Sequence, residues 1–398
     1  MSSPVGRLSY HQDLFADRQD IIDLVRSSVE RLRQGSPPDR RVVRCYGVAG
    51  SGKSWLLRHL QQILQGDCPG VLALRLCLAR DPAHLANDSA WTYLPSSSVD
   101  AAIIVPLLPW LIERVIEARG ATPAWTGVTN DPQRLSERLG NELATTRRPL
   151  VLLVDGLDEH PSEVIQAVEE YCLLPLLQRR DVLLVLAVRL PPSYVYAWSR
   201  ELVFHSQDLL LGPFSLSDAQ DQLEKAARVC PLPSISPTQA DEIVSKGGGY
   251  PQNNFALASA LDRATGKWPD PAYIFRTEAD RLLAPVDPHL RLAFEALCVL
   301  RQFDEYGMAD WLQAYGLSSP SSITPTDLTR TRLATWDNRA KAYVIDEALR
   351  RLLENALYFK DTSRWRALHE AARSFYQGWM ADYPRTADRW REIGRAHV

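Results

Sequence analysis

The octapeptide Gly47–Ser54, GVAGSGKS, constrains this chain more than any other feature of its sequence. It follows Arg41–Tyr46, whose valines and tyrosine are typical of a strand, and it precedes Ser54–Gln65, whose apolar residues have helical spacing. A strand, a glycine-rich loop and a helix in this order predict backbone N–H groups that face an anion at the start of the helix. The sequence therefore predicts a phosphate-binding loop in an α/β fold.

The residue types in this loop suit a nucleoside triphosphate with Mg²⁺, most simply ATP, with ADP as the product. Glycines allow the backbone to wrap around the phosphates. Lys53 would neutralise the outer phosphates, which makes it a catalytic candidate as well, and the Ser54 hydroxyl would bind Mg²⁺. The loop positions predicted to bind nucleotide are Gly47, Gly50, Ser51, Gly52, Lys53 and Ser54.

A second chemical signal lies where the apolar run Leu150–Val154 ends in Asp155-Gly-Leu-Asp158-Glu159. A run that is apolar at every position is typical of a strand buried in a parallel sheet. An acid at the carboxyl end of such a strand lies at the functional edge of the sheet. We expect Asp155 to hold Mg²⁺ through water, and either Asp158 or Glu159 to orient the attacking water.

The composition is that of an ordinary globular protein, since 45% of the 398 residues are apolar and 23% are charged. A formal net charge of -3 gives no overall basic surface for nucleic acid. The first residues, MSSPVGRLSYHQD, contain no apolar signal segment, and no apolar run approaches the ~20 residues of a membrane span. The six cysteines form no C-x-x-C pair, which favours reduced thiols in a cytoplasmic protein without membrane contact.

Alternating strands and helices up to about residue 205 predict a doubly wound parallel sheet. Helical patterns follow Pro213, and the β-prone stretch 340–345 comes after several helices, in the order of a winged helix-turn-helix. The predicted fold class is therefore a P-loop α/β domain followed by a helical lid and a winged-helix-like domain. The predicted boundaries are 1–205 for the α/β domain, 206–268 for the lid, 269–357 for the winged-helix-like domain and 358–392 for the start of a helical, repeat-like region.

The strand end that reads LVLLVDGLDE resembles the NACHT branch of the STAND class of P-loop ATPases, which share their core with AAA+ proteins. Four further elements occur in the order of that class. Phe15-Ala-Asp-Arg18 is similar to its F-V-G-R element, with Ala-Asp in place of Val-Gly. Arg189 follows the apolar run 182–188, and Gly249-Tyr-Pro251 matches the G-x-P motif after a lid that opens with Leu211-Gly-Pro-Phe.

This resemblance implies a role for each matched residue. Arg18 would lie against adenine, Arg189 would sense the γ-phosphate, and Pro251 would pack against the base. It also implies a signalling switch with slow hydrolysis, in which ADP holds a resting state and ATP promotes self-association and output through an effector protein.

Three other functions remain as alternatives. An AAA+-type ATPase could bind duplex DNA through its winged helix, but the helices within 288–313 carry few basic residues beside Asp304, Glu305 and Asp310, so nucleic acid is not the expected partner. A small-molecule kinase would not need the long helical C-terminal half. A nucleotide-binding scaffold without hydrolysis would not need both Asp155 and Glu159.

The last six residues, Ile393–Val398, can be encoded by a stretch of a common sequencing adapter. We therefore expect the segment 393–398 to be a non-native tail on a chain that is truncated near residue 392. Resequencing the locus tests this expectation.

Overall fold

A computed structural model of the chain describes residues 12–48, 50–78, 104–122, 131–189, 198–230, 232–284, 286–316, 323–331, 333–337 and 341–382. The chain clusters into two compact units. One ends at Gly212 and excludes Val48–Gly50, and the other contains Val48–Gly50 together with the chain from Pro213. The predicted tail 393–398 lies outside the described residues.

The first unit is built on a five-stranded sheet in which every neighbouring pair is parallel, in the order β2-β3-β4-β1-β5. The strands are β1 (Val42–Tyr46), β2 (Leu72–Cys77), β3 (Leu150–Asp155), β4 (Val182–Val188) and β5 (Ser206–Leu210). Strand β4 lies between β1 and β3, so the phosphate-binding loop after β1 and the acidic segment after β3 are separated by one strand.

Helices cover both faces of this sheet. They are α1 (Gln19–Arg33), α2 (Lys53–Asp67), α3 (Ile104–Glu117), α4 (Pro132–Thr146), α5 (Ser162–Val168), α6 (Leu174–Leu177) and α7 (Arg200–Phe204). Alternate residues of β3 enter two apolar clusters: Val151 and Leu153 pack with α1 and α2, whereas Leu152 and Val154 pack with α3 to α7. This three-layer arrangement confirms the predicted doubly wound fold, because only strands covered on both faces are apolar at every position.

Strand β5 was not predicted from the sequence. Its residues, SQDLL, alternate between more buried and more exposed positions because successive side chains point to opposite faces of the sheet. The strand pairs with β1 and lies at the edge of the sheet. Arg44 on β1 forms an ion pair with its register partner Asp208 on β5, with Nε 2.7 Å from Oδ1. The α/β unit therefore continues to Gly212, beyond the boundary that we predicted at residue 205.

The second unit is mainly helical in its described residues. Its helices are α8 (Leu216–Val229), α9 (Pro237–Gly247), α10 (Pro251–Ser259), α11 (Pro271–Leu283), α12 (Pro288–Leu297), α13 (Glu305–Tyr315), α14 (Pro325–Arg330), α15 (Glu347–Lys360) and α16 (Thr362–Asp382). Several begin with a capping side chain followed by proline, which fixes their first turn. These starts are Ser236-Pro237, Asp270-Pro271, Asp287-Pro288 and Thr324-Pro325.

One apolar core extends through this unit from Leu223 on α8 to Tyr376 on α16. The Tyr376 hydroxyl donates a hydrogen bond to the carbonyl of Gln302 over 2.7 Å, which fixes α16 against the preceding helices. The described residues from Pro213 onward therefore form one compact unit, and the separate lid, winged-helix-like and repeat-like domains remain a prediction.

Helices α12, α13 and α14 are followed by an antiparallel hairpin of β6 (Ala334–Asp337) and β7 (Ala342–Ile345). Phe303, before α13, forms a bridge with Tyr343 on β7. This order agrees with the predicted winged helix. It also corrects the argument against DNA, because the helix directly before the hairpin is α14 and not a helix within 288–313. The charge of that earlier segment does not exclude nucleic acid.

Among the described residues, no helix is both long enough and apolar enough to span a membrane.

Candidate nucleotide-binding site

The loop between β1 and α2 has the backbone of an anion-binding site. Gly50 and Gly52 have φ angles of 85° and 94°, values that glycine adopts without strain. Gly52 is the N-cap of α2 and has no side chain to cap the first N–H groups of the helix. These N–H groups and the helix dipole favour a negative charge at this position.

Gly47 begins this loop at a point where no larger residue fits. A β-carbon on Gly47 would lie 2.7 Å from the carbonyl oxygen of Leu211 and 2.8 Å from Oγ of Ser51. Ser51 is only 1% exposed, and its hydroxyl has no hydrogen-bond partner in the described part of the chain. A buried hydroxyl without a partner is costly, and an oxygen of a bound phosphate would provide one.

Lys53 and Ser54 follow in the first turn of α2. The Lys53 ammonium donates a hydrogen bond to the carbonyl of Gly47 over 2.6 Å, across the loop that they enclose. Ser54 is exposed. The phosphate-binding loop thus positions the ammonium group over its own backbone, where it can exchange the carbonyl for a phosphate oxygen.

Neighbouring strands bring Asp155 and Arg189 to the same edge of the sheet. Asp155 is the last residue of β3, is 7% exposed and is in register with Ala187 of β4. Arg189 follows β4 directly, and the N–H of Gly47 donates a hydrogen bond to the carbonyl of Val188 over 3.2 Å. The structure therefore places the loop, Arg189 and Asp155 after three strands that are neighbours in the sheet, β1, β4 and β3.

Asp158 and Glu159 lie in a single 3₁₀ turn, Leu157–Glu159, which starts after Gly156 with a φ angle of 74°. Asp158 is 2% exposed, and its Oδ2 accepts a hydrogen bond of 2.6 Å from the backbone N–H of Arg189. The carboxylate of Asp158 thus links the acidic turn to the end of β4. The side chain of Glu159 lies outside the described residues.

Arg18 lies in the segment that resembles F-V-G-R. Both Asp17 and Arg18 have left-handed backbone conformations, with φ angles of 60° and 73°. Aspartate tolerates this conformation better than most residues other than glycine, which explains why Asp17 can replace the glycine of the motif. The Arg18 guanidinium donates a 2.6 Å hydrogen bond to the carbonyl of Gly212. Nearby in sequence, Phe15 stacks on His59 of α2 at 3.9 Å.

In the second unit, Pro251 is the first residue of α10, and its carbonyl accepts a 2.8 Å hydrogen bond from the side-chain amide of Gln222. The next residue, Gln252, donates its backbone N–H to the carbonyl of Gly50 over 3.3 Å. Neither glutamine could be identified from the sequence, because neither belongs to a motif, although Gln252 directly follows G-x-P.

The family comparison concerns the first unit. Residues 15–186 match the AAA ATPase domain family. The matched range begins at Phe15, includes the phosphate-binding loop and Asp155, and ends within β4. Among curated proteins, none matches the chain.

Several solved structures resemble the chain at low identity. Orc1 of Aeropyrum pernix, solved in complex with DNA, is 17% identical with a TM-score of 0.45, over 89% of this chain and 95% of that one. Cdc6p of Pyrobaculum aerophilum is 13% identical with a TM-score of 0.45, over 85% and 94%. The RuvB branch migration motor of Thermotoga maritima is 13% identical with a TM-score of 0.43, over 84% and 93%.

The region that matches the AAA ATPase domain family contains residues that fit a nucleotide phosphate with Mg²⁺. Mg²⁺ in such sites is held by one or two protein oxygens together with water and phosphate oxygens. Ser54 and Asp155 are the candidates for these ligands, and no group of three or more His, Cys, Asp or Glu in the described ranges forms a metal cage. Cys45 on β1 is not a nucleophile candidate, because burial raises the pKa of its thiol to about 12.

Proposed function

We propose that the chain is an ATP-binding, Mg²⁺-dependent ATPase of the NACHT branch of the STAND class, and that slow hydrolysis makes it a nucleotide-controlled switch in cytoplasmic signalling. The observation that supports this most is the alignment of the phosphate-binding loop, Arg189 and Asp155 after three consecutive parallel strands. In this proposal ADP maintains the resting state. ATP promotes self-association, and an effector protein receives the signal.

In the proposed reaction the protein mainly positions the nucleotide and neutralises the charge of its phosphates. Lys53 would leave the Gly47 carbonyl and neutralise the outer phosphates, while Ser54 and Asp155 would hold Mg²⁺ and its water. Bound Mg²⁺ supplies charge neutralisation on the phosphate oxygens during transfer to water. Arg18 and Pro251 are proposed to contact the base.

The two acids after Asp155 would then have different roles. Asp158 is buried and accepts the N–H of Arg189, so it acts as a positioning residue that fixes the end of β4. Glu159 is the proposed residue that orients the attacking water. This division assigns each acid a single task, and it can be tested by isosteric variants.

Arg189→Ala is expected to remove most of the preference between ATP and ADP while leaving ADP affinity largely unchanged. The guanidinium would contact only the γ-phosphate, and a charge-assisted hydrogen bond contributes roughly 1.5–3 kcal/mol, which corresponds to about tenfold to a hundredfold in affinity. Alanine retains the backbone N–H that Asp158 accepts, so the local structure should persist. Calorimetry with ADP and a non-hydrolysable ATP analogue measures the ratio.

Arg180→Ala is the matched control, because Arg180 is exposed just before β4, at the amino end of the strand. It should retain the wild-type ratio. Limited proteolysis should also show that the two nucleotides protect the segment 205–270 differently in the wild type. Identical digestion patterns with both would mean that the chain is an ATPase without a switch.

Asp155→Ala is expected to abolish the effect of Mg²⁺ on ATP affinity, with a smaller effect on affinity for the metal-free nucleotide. The carboxylate at the end of β3 is the proposed protein anchor for the metal, and alanine removes its negative charge. Titrations with ATP in the presence of Mg²⁺ and of a chelator measure this difference. Asp39→Ala, at an exposed position before β1, should behave like the wild type. If Mg²⁺ still tightens binding equally in Asp155→Ala, another acid binds the metal.

DNA binding through the winged helix is the second candidate function. The observation that favours it is the order of α12, α13, α14 and the β6–β7 hairpin, which is the arrangement that places a helix and a wing on duplex DNA. Fluorescence anisotropy with a labelled duplex, repeated over a range of salt concentrations, separates the two functions. Binding that weakens steeply with salt supports the DNA-associated ATPase, and its absence at low salt favours the signalling switch.

A further inference from the structure

Three buried amide side chains surround the turn between α9 and α10. This turn, Gly247–Gln252, contains two successive left-handed glycines, Gly248 and Gly249, each with a φ angle of 75°. Asn253 and Asn254 on α10 are completely buried. Gln222, on α8, is nearly so. Buried amides are stable only where their polar atoms are bonded, so their arrangement around one turn calls for an explanation.

The amides are bonded mainly to the turn itself. The Gln222 side chain donates to the carbonyl of Pro251 over 2.8 Å and accepts from the Asn254 amide over 3.2 Å. The Asn254 amide also approaches the carbonyl of Gly249 at 3.4 Å. Asn253 donates to the carbonyl of Gly247 over 2.9 Å. We call Gln222 and Asn254 the amide clamp, because together they hold the carbonyls on both sides of Tyr250.

Two side-chain oxygens of these amides have no partner among the described residues. The Oδ1 atoms of Asn253 and Asn254 are buried and accept no hydrogen bond from the described part of the chain. An apolar core would avoid this cost. The chain therefore keeps a polar arrangement here that packing alone does not require, and the arrangement serves to fix the conformation of one turn.

The end of this turn contacts the phosphate-binding loop. The backbone N–H of Gln252 donates to the carbonyl of Gly50, and a β-carbon on Gly50 would lie 3.1 Å from Cβ of Gln252. The carbonyl and the N–H of one trans peptide point in opposite directions. When Gln252 holds the carbonyl of Gly50, the N–H of Ser51 is therefore turned to the other side of the loop backbone, away from Gln252.

The residue just before this turn, Lys246, is held from α15. The Asn355 side chain donates to the carbonyl of Lys246 over 3.2 Å, and the Lys246 ammonium lies 4.8 Å from the ring centroid of Phe359. A movement of the turn would therefore change these contacts with α15, the helix that follows the β6–β7 hairpin.

From these contacts we infer that the amide clamp of Gln222 and Asn254 positions Gln252 to orient the Gly50–Ser51 peptide of the phosphate-binding loop. It thereby couples the bound nucleotide to α15. This inference rests on the proposed nucleotide binding and deepens it, because it names the residues that would transmit the state of the site. Gln222 and Asn254 are positioning residues, and no contact of theirs with nucleotide is required.

The test replaces Gln222 with methionine, which keeps the length of the side chain but removes both of its hydrogen bonds. Gln222→Met should reduce the ratio of ATP to ADP affinity about tenfold, because Gln252 would no longer be held where it orients the Gly50–Ser51 peptide. In the wild type, hydrogen exchange of residues 247–254 should slow when nucleotide binds. In Gln222→Met this protection should disappear although nucleotide is still bound.

Gln220→Met is the matched control, because Gln220 lies on the same helix and, among the described residues, its side chain bonds to the exposed Asp241 and not to the turn. It should retain the wild-type ratio and protection. If Gln222→Met does not fold, Gln222→Glu takes its place, since it keeps the contact with Asn254 but directs a carboxylate oxygen at the Pro251 carbonyl.

Two failures are distinguishable. A wild-type chain that binds no nucleotide overturns the proposed function. A wild-type chain that binds and discriminates, with Gln222→Met showing the same ratio and the same protection of 247–254, overturns the amide clamp alone.

Discussion

Lys53→Ala is expected to abolish measurable ATP binding. The Lys53 ammonium lies 2.6 Å from the Gly47 carbonyl, so it is a positive side chain held against the loop that would bind the phosphates. Without it, the phosphates lose the one positive charge that the loop itself would supply, and the proposed Mg²⁺ and Arg189 would not replace it at this position. Charge-assisted bonds of about 1.5–3 kcal/mol each imply a loss of more than about a hundredfold in affinity. Calorimetry with ATP and Mg²⁺ measures it.

Lys267→Ala is the control, because Lys267 is an exposed lysine in the loop between α10 and α11. The affinity of Lys267→Ala for ATP should equal that of the wild type. Thermal unfolding without nucleotide should be similar for both variants and the wild type, since Lys53 is not part of an apolar core. Unchanged ATP affinity in a folded Lys53→Ala protein would contradict the assignment of the phosphate-binding loop and, with it, the proposed function.

The phosphate-binding loop could be predicted because its information is local. A strand, three glycines, a lysine and a helix follow one another within Arg41–Gln65, and each has its own sequence pattern. The positions of Asp155 and Arg189 could be predicted for a related reason. Both follow strands that are apolar on both faces, and in a parallel sheet the ends of such strands share one edge. In the structure the strands that carry them to this edge, β3 and β4, are neighbours.

Strand β5 could not be predicted by the same reasoning. Among the described strands it pairs with β1 alone, at the edge of the sheet, and its sequence SQDLL contains no long run of apolar residues that would identify a buried strand. The ion pair of Arg44 with Asp208 stabilises it through a contact between residues that are far apart in sequence. The spacing of apolar residues and the composition contain no information about such a contact.

Buried polar contacts were missed for the same physical reason. Gln222 and Asn254 interact across two helices, and each looks like an ordinary polar residue in its own helical segment. The sequence likewise left Asp158 and Glu159 as equal candidates. Only the fold shows that the N–H of Arg189 is bonded to Asp158, because this contact depends on the adjacency of β3 and β4.

Because Asp158 is bonded to the N–H of Arg189, Glu159 is the acid that we expect to orient the attacking water. Glu159→Gln should retain ATP affinity and lose turnover by about a hundredfold or more, because glutamine keeps the shape but cannot take a proton from the attacking water. Asp158→Asn should change turnover by no more than about fivefold, since the amide oxygen of asparagine can still accept the N–H of Arg189 at a cost of about 1 kcal/mol. Single-turnover hydrolysis of ATP by each variant, with affinity measured in parallel, gives both quantities.

Asp158→Ala separates positioning from catalysis. Alanine removes the acceptor for the Arg189 N–H and leaves that donor unpaired, so it should weaken both turnover and the preference for ATP over ADP, whereas Asp158→Asn should weaken neither by much. A reversed result, with Asp158→Asn inactive and Glu159→Gln active, would make Asp158 the residue that orients water and Glu159 an ordinary acid of the 3₁₀ turn. Normal turnover in both isosteric variants would show that neither acid activates the attacking water, because each variant replaces the carboxylate base with an amide that cannot take up a proton.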